Sequence, residues 1–185
     1  VARQRSMGRE IVVVVGVGFV GAVRAAVVAD SVDKKGKIKK FVIGMQRPST
    51  RSYWKIQLLN RGVSPVKAED PEVDAMIQRC VCEKKNLMAT YNYDVLQLAD
   101  VVVVDVQCDY LKESFGDLST GQTDMAALED SFHTIGERIQ PGALVLIETT
   151  VAPGTTEQVA YPIMKKIFRQ RKIKSDPLLA HSYER

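Results

Sequence analysis

The residues with the most chemical content come early and at fixed spacing: Gly16, Gly18 and Gly21, in the run Gly16-Val17-Gly18-Phe19-Val20-Gly21. A lone GxGxxG is a weak signal. Here it directly follows the β-branched run Ile11–Val15 and opens the Ala- and Val-rich run Phe19–Val32, the strand–turn–helix setting in which the pattern binds a dinucleotide. Gly16 permits a tight turn, Gly18 lets the backbone approach a pyrophosphate with no Cβ in the way, and Gly21 lets helix and strand pack closely. The first helical N–H groups and the partial positive charge of the helix start then face the phosphates. The whole loop, Val17, Phe19 and Val20 included, is the expected cofactor contact. The competing readings are a glycine turn without a ligand and the S-adenosylmethionine loop of a methyltransferase.

A dinucleotide site usually carries a second mark, an Asp or Glu closing the second strand and holding the adenosine ribose hydroxyls. That strand reads Phe41-Val42-Ile43-Gly44-Met45-Gln46-Arg47-Pro48 and holds no carboxylate. Gln46 could hydrogen-bond a ribose hydroxyl. Arg47, Ser49 or Arg51 could instead meet a 2′-phosphate. NAD and NADP both stay open on these residues.

The elements that must position the loop alternate. Apolar runs at Ile11–Val15, Phe41–Met45, Leu87–Thr90, Val101–Val106, Ala143–Glu148 and Leu178–Ala180 read as strands, several of them buried on both faces. Between them lie helical segments. Phe19–Val32 is one. Arg51–Arg61 is another, with Ser49 or Thr50 as cap and Gly62 as stop. Asp70-Pro71 caps a third, whose stripe is Val73, Met76, Ile77, Cys80 and Val81. Gly121–Thr123 opens a fourth, with Met125, Leu128, Phe132, Ile135 and Ile139 on one face and His133 outside it. Thr155 with Gln158 suggests a capping box for a helix running to Phe168, which Pro162 would kink or start late. Strand–helix alternation predicts an α/β Rossmann-like doubly wound parallel sheet with helices on both faces, a three-layer α/β/α domain over residues 1–185, with strand order 3-2-1-4-5-6.

Composition agrees with a single soluble domain: 185 residues, 45% hydrophobic, 26% charged and a net charge of +4 are ordinary values. The basic runs Lys34–Lys40 and Arg169–Lys174 are read as solvated connections. A nucleic-acid surface would need a stronger imbalance and interleaved aromatics, so no nucleic-acid partner is expected. Cys80, Cys82 and Cys108 imply no disulfide framework and no zinc-site spacing, which fits a cytoplasmic compartment and no metal. Ile11 to Ala29 imitates a membrane span, but Arg24 and the patterned glycines inside it argue against that reading.

Several stretches, in order, resemble one family, the nucleotide-sugar 6-dehydrogenases. Val15 to Gly21 is close to its VGxGYVG opening. Asn60-Arg61-Gly62-Val63-Ser64-Pro65 with Glu69 resembles its NxGxSPxxE segment. Ala99-Asp100, the valines after it and Val106-Gln107-Cys108-Asp109 resemble its ADVVIIAVxTP strand. Most specific is Glu148-Thr149-Thr150-Val151-Ala152-Pro153-Gly154-Thr155-Thr156-Glu157, near ESTVPPGTTE. Ser182-Tyr183-Glu184-Arg185 is similar to its sPER segment. The chain departs from the pattern at four places: Met45-Gln46 for the usual Asp, Cys108 for a Thr, Asp109 for a Pro, and Tyr183 for the Pro of PER.

The resemblance implies an NAD-binding front domain of an enzyme that oxidises the 6-hydroxyl of a UDP- or GDP-sugar to a carboxylate. Two hydride transfers are involved, with covalent capture of the aldehyde by a cysteine between them. It implies that the nucleophilic Cys, a Lys, an Asn and the sugar-nucleotide-binding domain lie beyond Arg185, so that residues 1–185 do not turn over alone. Thr150 is then expected to position a water near the reacting carbon and the nicotinamide, and Glu184 to act as an acid–base group. Val106, Gln107 and Cys108 are expected at the cofactor pocket, and His181 carries no assignment. A homodimer is implied for the full-length enzyme, and polysaccharide biosynthesis for its role. A stand-alone dinucleotide-binding module and the front domain of a 6-phosphogluconate or hydroxyacyl dehydrogenase are the alternatives. The Thr149–Thr156 stretch speaks against the last.

Overall fold

The computed structural model describes residues 1–50, 52–112 and 121–182. After a short helix α1 (Ala2–Ser6) come strand β1 (Glu10–Val15) and helix α2 (Phe19–Asp30), then β2 (Lys40–Met45), α3 (Tyr53–Asn60) and α4 (Pro71–Gln78). A π-helical turn at Arg79–Glu83 extends α4 and leads to β3 (Leu87–Thr90). A 3-10 turn at Tyr93–Leu98 precedes β4 (Val101–Val104), and β5 (Asp109–Lys112) and β6 (Gly121–Asp124) follow it. The chain then runs through α5 (Ala126–Arg138), β7 (Leu144–Ile147), a π-helical turn at Thr156–Ala160, α6 (Tyr161–Gln170) and β8 (Leu178–His181).

The main sheet is six-stranded and parallel, in the order β3-β2-β1-β4-β7-β8. Counting only its own strands, that is the expected 3-2-1-4-5-6. Val12, Val13, Val14 and Val15 of β1 face Val101, Val102, Val103 and Val104 of β4 in register. Residues 11–15 of β1 are all buried, because alternate side chains enter two different cores. Ile11, Val13 and Val15 join Phe132, Ile135 and Phe168 on one face. Val12 and Val14 join the other, with Leu59, Ile77 and the small residues Ala22, Ala25, Ala26 and Ala29 of α2. Methyl-sized contacts bring α2 close to the sheet, which holds its first turn near the end of β1.

Local signals located most elements. Asp70 accepts a 2.9 Å hydrogen bond from the Glu72 N–H, with Pro71 at the first helical position. Cys80 is fully buried on its stripe. Three expectations need correction. Gly121–Thr123 does not open a helix: it belongs to β6, which pairs antiparallel with β5. The hairpin partner satisfies the backbone there, and α5 begins at Ala126, whose N–H donates to Asp124 Oδ1 at 3.0 Å. The Thr155–Gln158 capping box is absent, since Thr155 Oγ1 donates instead to Ala152 O at 2.7 Å. Pro162 lacks an N–H and crowds the carbonyl four residues earlier, and a π-helical turn precedes it. Finally, Arg171 is no solvated linker residue. Its guanidinium donates to Gly136 O and Ile139 O at 2.6 and 2.9 Å, closing the end of α5.

Candidate functional site

The strand order reverses its outward march at β1 and β4, and the carboxyl ends of β1, β2 and β4 leave a crevice there, the usual ligand position in an open α/β sheet. The crevice has a volume of about 580 Å³. Val15, Gly16 and Gly18 form its floor, Met45, Gln46 and Arg47 one wall, and Asp105, Val106 and Gln107 a second edge. Helix α5 supplies the far wall through Ser131, Thr134 and Arg138.

The glycines differ in what surrounds them. Gly16 has φ +96°, a left-handed conformation, and a Cβ on it would lie 2.2 Å from the Asp105 carbonyl oxygen. A Cβ on Gly21 would lie 1.8 Å from Gly16 O. Gly18 has nothing within 4 Å of a Cβ position. It is the N-cap of α2 and brings no side-chain cap to the helix. Two glycines are therefore compressed to shape the corner, while the third leaves an opening over uncapped helical N–H groups, the space and donor set a diphosphate needs.

Val17 is wholly buried, and its N–H donates to Gln46 Oε1 at 3.0 Å. This bond ties the end of β2 to the glycine corner. It also orients the amide, with the Nε2 donor turned away from the bond. Arg47 is exposed and lines the crevice, as does Lys55 of α3, whose ammonium sits 5.9 Å from the Trp54 ring centroid.

Not every expected residue meets in the crevice. Phe19 is 63% exposed at the outer start of α2. Val20 and Gly21 belong to the corner without lining the cavity. Cys108 is half-buried, packs against the core with its Sγ 3.9 Å from Met125 Sδ, and does not line the cavity. Thr150 is exposed just past β7, on the same carboxyl edge of the sheet but outside the cavity lining. Its neighbour Thr149 is buried, accepts from the Val106 N–H at 3.1 Å and donates to Val106 O at 2.8 Å. Thr149 thus fastens the loop after β4 to the end of β7. Glu148, 6% exposed, pairs with Arg24 of α2 at 2.6 Å. His181 is the last residue of β8 and borders a separate hollow with Glu157 and Tyr161. Glu184, with Tyr183, Arg185 and Arg51, lies outside the described residues.

Reasoning from the sequence missed Lys55, Tyr93 and the crevice face of α5. The Arg138 guanidinium stands 5.7 Å from the Tyr93 ring centroid on that wall. Exposed His133 lines the same wall, not open solvent alone. A helical wheel separates the buried face of α5 from its polar face, but only the crossover decides that part of the polar face borders a cavity. Among the described residues no group of three His, Cys, Asp or Glu could hold a metal ion, and no helix is long and apolar enough to cross a membrane.

Residues 10–185 match the profile of the UDP-glucose/GDP-mannose dehydrogenase family, NAD binding domain. The chain belongs to this family. This nucleotide-sugar dehydrogenase domain is 32% identical to the UDP-N-acetyl-D-mannosamine dehydrogenase of Pyrococcus horikoshii over 105 residues, 57% of this chain and 22% of that protein. It is 29% identical to the UDP-N-acetyl-D-glucosamine 6-dehydrogenase of Pseudomonas aeruginosa over 174 residues, 94% of this chain and 35% of that protein. The crystal structure of NDP-N-acetyl-D-galactosaminuronic acid dehydrogenase from Methanosarcina mazei Go1 superposes with a TM-score of 0.80 at 32% identity, covering 98% of this chain and 36% of that one. The nucleotide-sugar dehydrogenase domain described here therefore spans about a third or less of the length of these relatives.

Proposed function

We propose that this domain binds NAD(P) in the crevice and serves an enzyme that oxidises the 6-hydroxyl of a UDP- or GDP-sugar to a carboxylate by two successive hydride transfers. The observation that carries the reading is the opening at Gly18. An uncapped helix start faces a cavity at the sheet's reversal point, in a chain of this family. The bound cofactor supplies the hydride acceptor. The chain's own residues do the holding. The Gly16–Gly21 corner grips the pyrophosphate with backbone N–H groups, and Gln46 and Arg47 meet the adenosine ribose. Val106 and Gln107 border the nicotinamide side. Thr150, on the same sheet edge, holds a water or hydroxyl near the reacting carbon, and Glu184 moves the proton.

Fluorescence titration with NADH and NADPH tests the binding step. Saturable binding in the micromolar range is expected, and no response to either compound defeats the reading. Catalysis is tested on the full-length protein with UDP- and GDP-sugars. Two equivalents of reduced cofactor should form for each sugar acid. Oxidation that halts at one equivalent would contradict the two-step reaction.

A further inference from the structure

The side of the cavity where the adenosine ribose would lie carries the donor side chains Gln46, Arg47 and Lys55. Gln46 replaces the carboxylate that normally closes the second strand, and its acceptor oxygen is engaged by the Val17 N–H. The part of the amide left for the crevice is Nε2, which only donates. Arg47 and Lys55 line the same cavity, and their guanidinium and ammonium are donor-only and cationic. The segment that presents Arg47 is pinned: Ser52 Oγ donates to Arg47 O at 3.0 Å and shares a 2.6 Å hydrogen bond with Ser49 Oγ. The carboxylates bordering the cavity lie elsewhere. Asp105 is behind the glycine corner, and Asp130 and Glu137 are on α5.

A free ribose 2′,3′-diol is best held by an acceptor for its two hydroxyl protons. Among the described residues no carboxylate stands on this side, and the one side-chain acceptor at the end of β2, Gln46 Oε1, is engaged by Val17. A 2′-phosphate is the opposite partner: acceptor-only, dianionic, and suited to a guanidinium fork with an ammonium and an amide beside it. We infer that the cofactor of this domain is the 2′-phosphorylated dinucleotide, NADP(H), with Arg47, Lys55 and Gln46 Nε2 as the phosphate-recognising group. The inference rests on the dinucleotide reading above and adds the identity of the cofactor.

Competition against bound nicotinamide fluorescence with 2′,5′-ADP and with ADP isolates the added phosphate, and direct titration with NADPH and NADH isolates it in the whole cofactor. The phosphorylated member of each pair should bind about tenfold tighter or better, the scale of one charge-assisted hydrogen bond. Arg47→Ala should lower NADPH affinity about tenfold more than NADH affinity, and Gln46→Asp should reverse the preference. NADH binding as tightly as NADPH overturns this inference and leaves the dinucleotide site standing. Binding of neither overturns both. An NADPH preference that Arg47→Ala leaves intact overturns the residues assigned. Should a variant fail to fold, the wild-type 2′,5′-ADP and ADP comparison decides alone.

Discussion

Arg24 Nε lies 2.6 Å from Glu148 Oε2, joining the helix that follows the glycine corner to the end of β7. Glu148 is almost fully buried and Arg24 is 30% exposed, so the carboxylate depends on its partner for charge compensation. The pair clamps α2 across the sheet's edge, just before Thr149 and Thr150. It explains why a charged residue sits inside the apolar stretch that resembles a membrane span in the sequence.

Removing one partner of this pair should therefore cost much more than removing both. Arg24→Met leaves a buried charge uncompensated and should destabilise by about 3 kcal/mol, whereas apolar replacements at both positions should recover most of the loss. Urea unfolding of the two single variants and the double variant measures this. Additive losses in the double variant would show that the two side chains act independently.

Gly18 and Gly21 should respond in opposite ways to alanine. Gly18→Ala adds a Cβ to open space at a φ of −75°. Stability should change by less than about 0.5 kcal/mol, while dinucleotide affinity falls. Gly21→Ala drives a Cβ to 1.8 Å from Gly16 O and should cost about 2–3 kcal/mol of stability through overpacking. Thermal melts paired with NADPH titration separate the two effects. Equal affinity in Gly18→Ala would remove the phosphate from this corner.

Acid should weaken the junction of α2 with the turn after α4. Arg79 donates to both Asp30 carboxylate oxygens at 2.8 and 2.7 Å, and Lys84 Nζ lies 2.6 Å from Oδ1. The Arg79 guanidinium first, and Lys84 with it, holds the Asp30 carboxyl well below its ordinary 3.8. A carboxylate with a depressed folded-state pKa contributes stability that is fully present above the unfolded value and is lost as pH falls below it. The unfolding midpoint should therefore decline below about pH 4, and Asp30→Asn should flatten that decline. An Asp30→Asn profile parallel to wild type between pH 5 and 2 would refute the assignment.

The cysteines should alkylate in order of burial. Cys82 is exposed and Cys108 half-buried. Cys80 is fully buried, and burial with the neighbouring Asp30 charge pushes its thiol up to about 12. Thiolate is the reactive form, so Cys80 should resist iodoacetamide at pH 8 until the protein unfolds. Mass mapping of labelled peptides against time provides the check, and early labelling of Cys80 would contradict its packing.

Much of this was readable from local pattern. The four valines of β4 and the β-branched run of β1 announce strands covered on both faces, and Asp70-Pro71 announces a helix start. These signals work because backbone preference and side-chain period act over a few residues. The hairpin of β5 and β6 was not readable, because the pairing of Asp109–Lys112 with Gly121–Asp124 is a non-local choice. The roles of Thr149 and Arg171 were hidden for the same reason. Each satisfies backbone groups at least 32 residues away in sequence.

By itself the sequence determined the parallel α/β class, the family and the glycine corner, since periodicity and the steric needs of a tight turn are written in residue types and spacing. Tertiary structure alone decided that Gln46 points its oxygen at Val17, that Lys55 and α5 complete the crevice, and that Cys108 packs against Met125 instead of lining it. Those outcomes depend on which ends of distant strands meet, and hydrogen-bond direction and cavity walls exist only once they do.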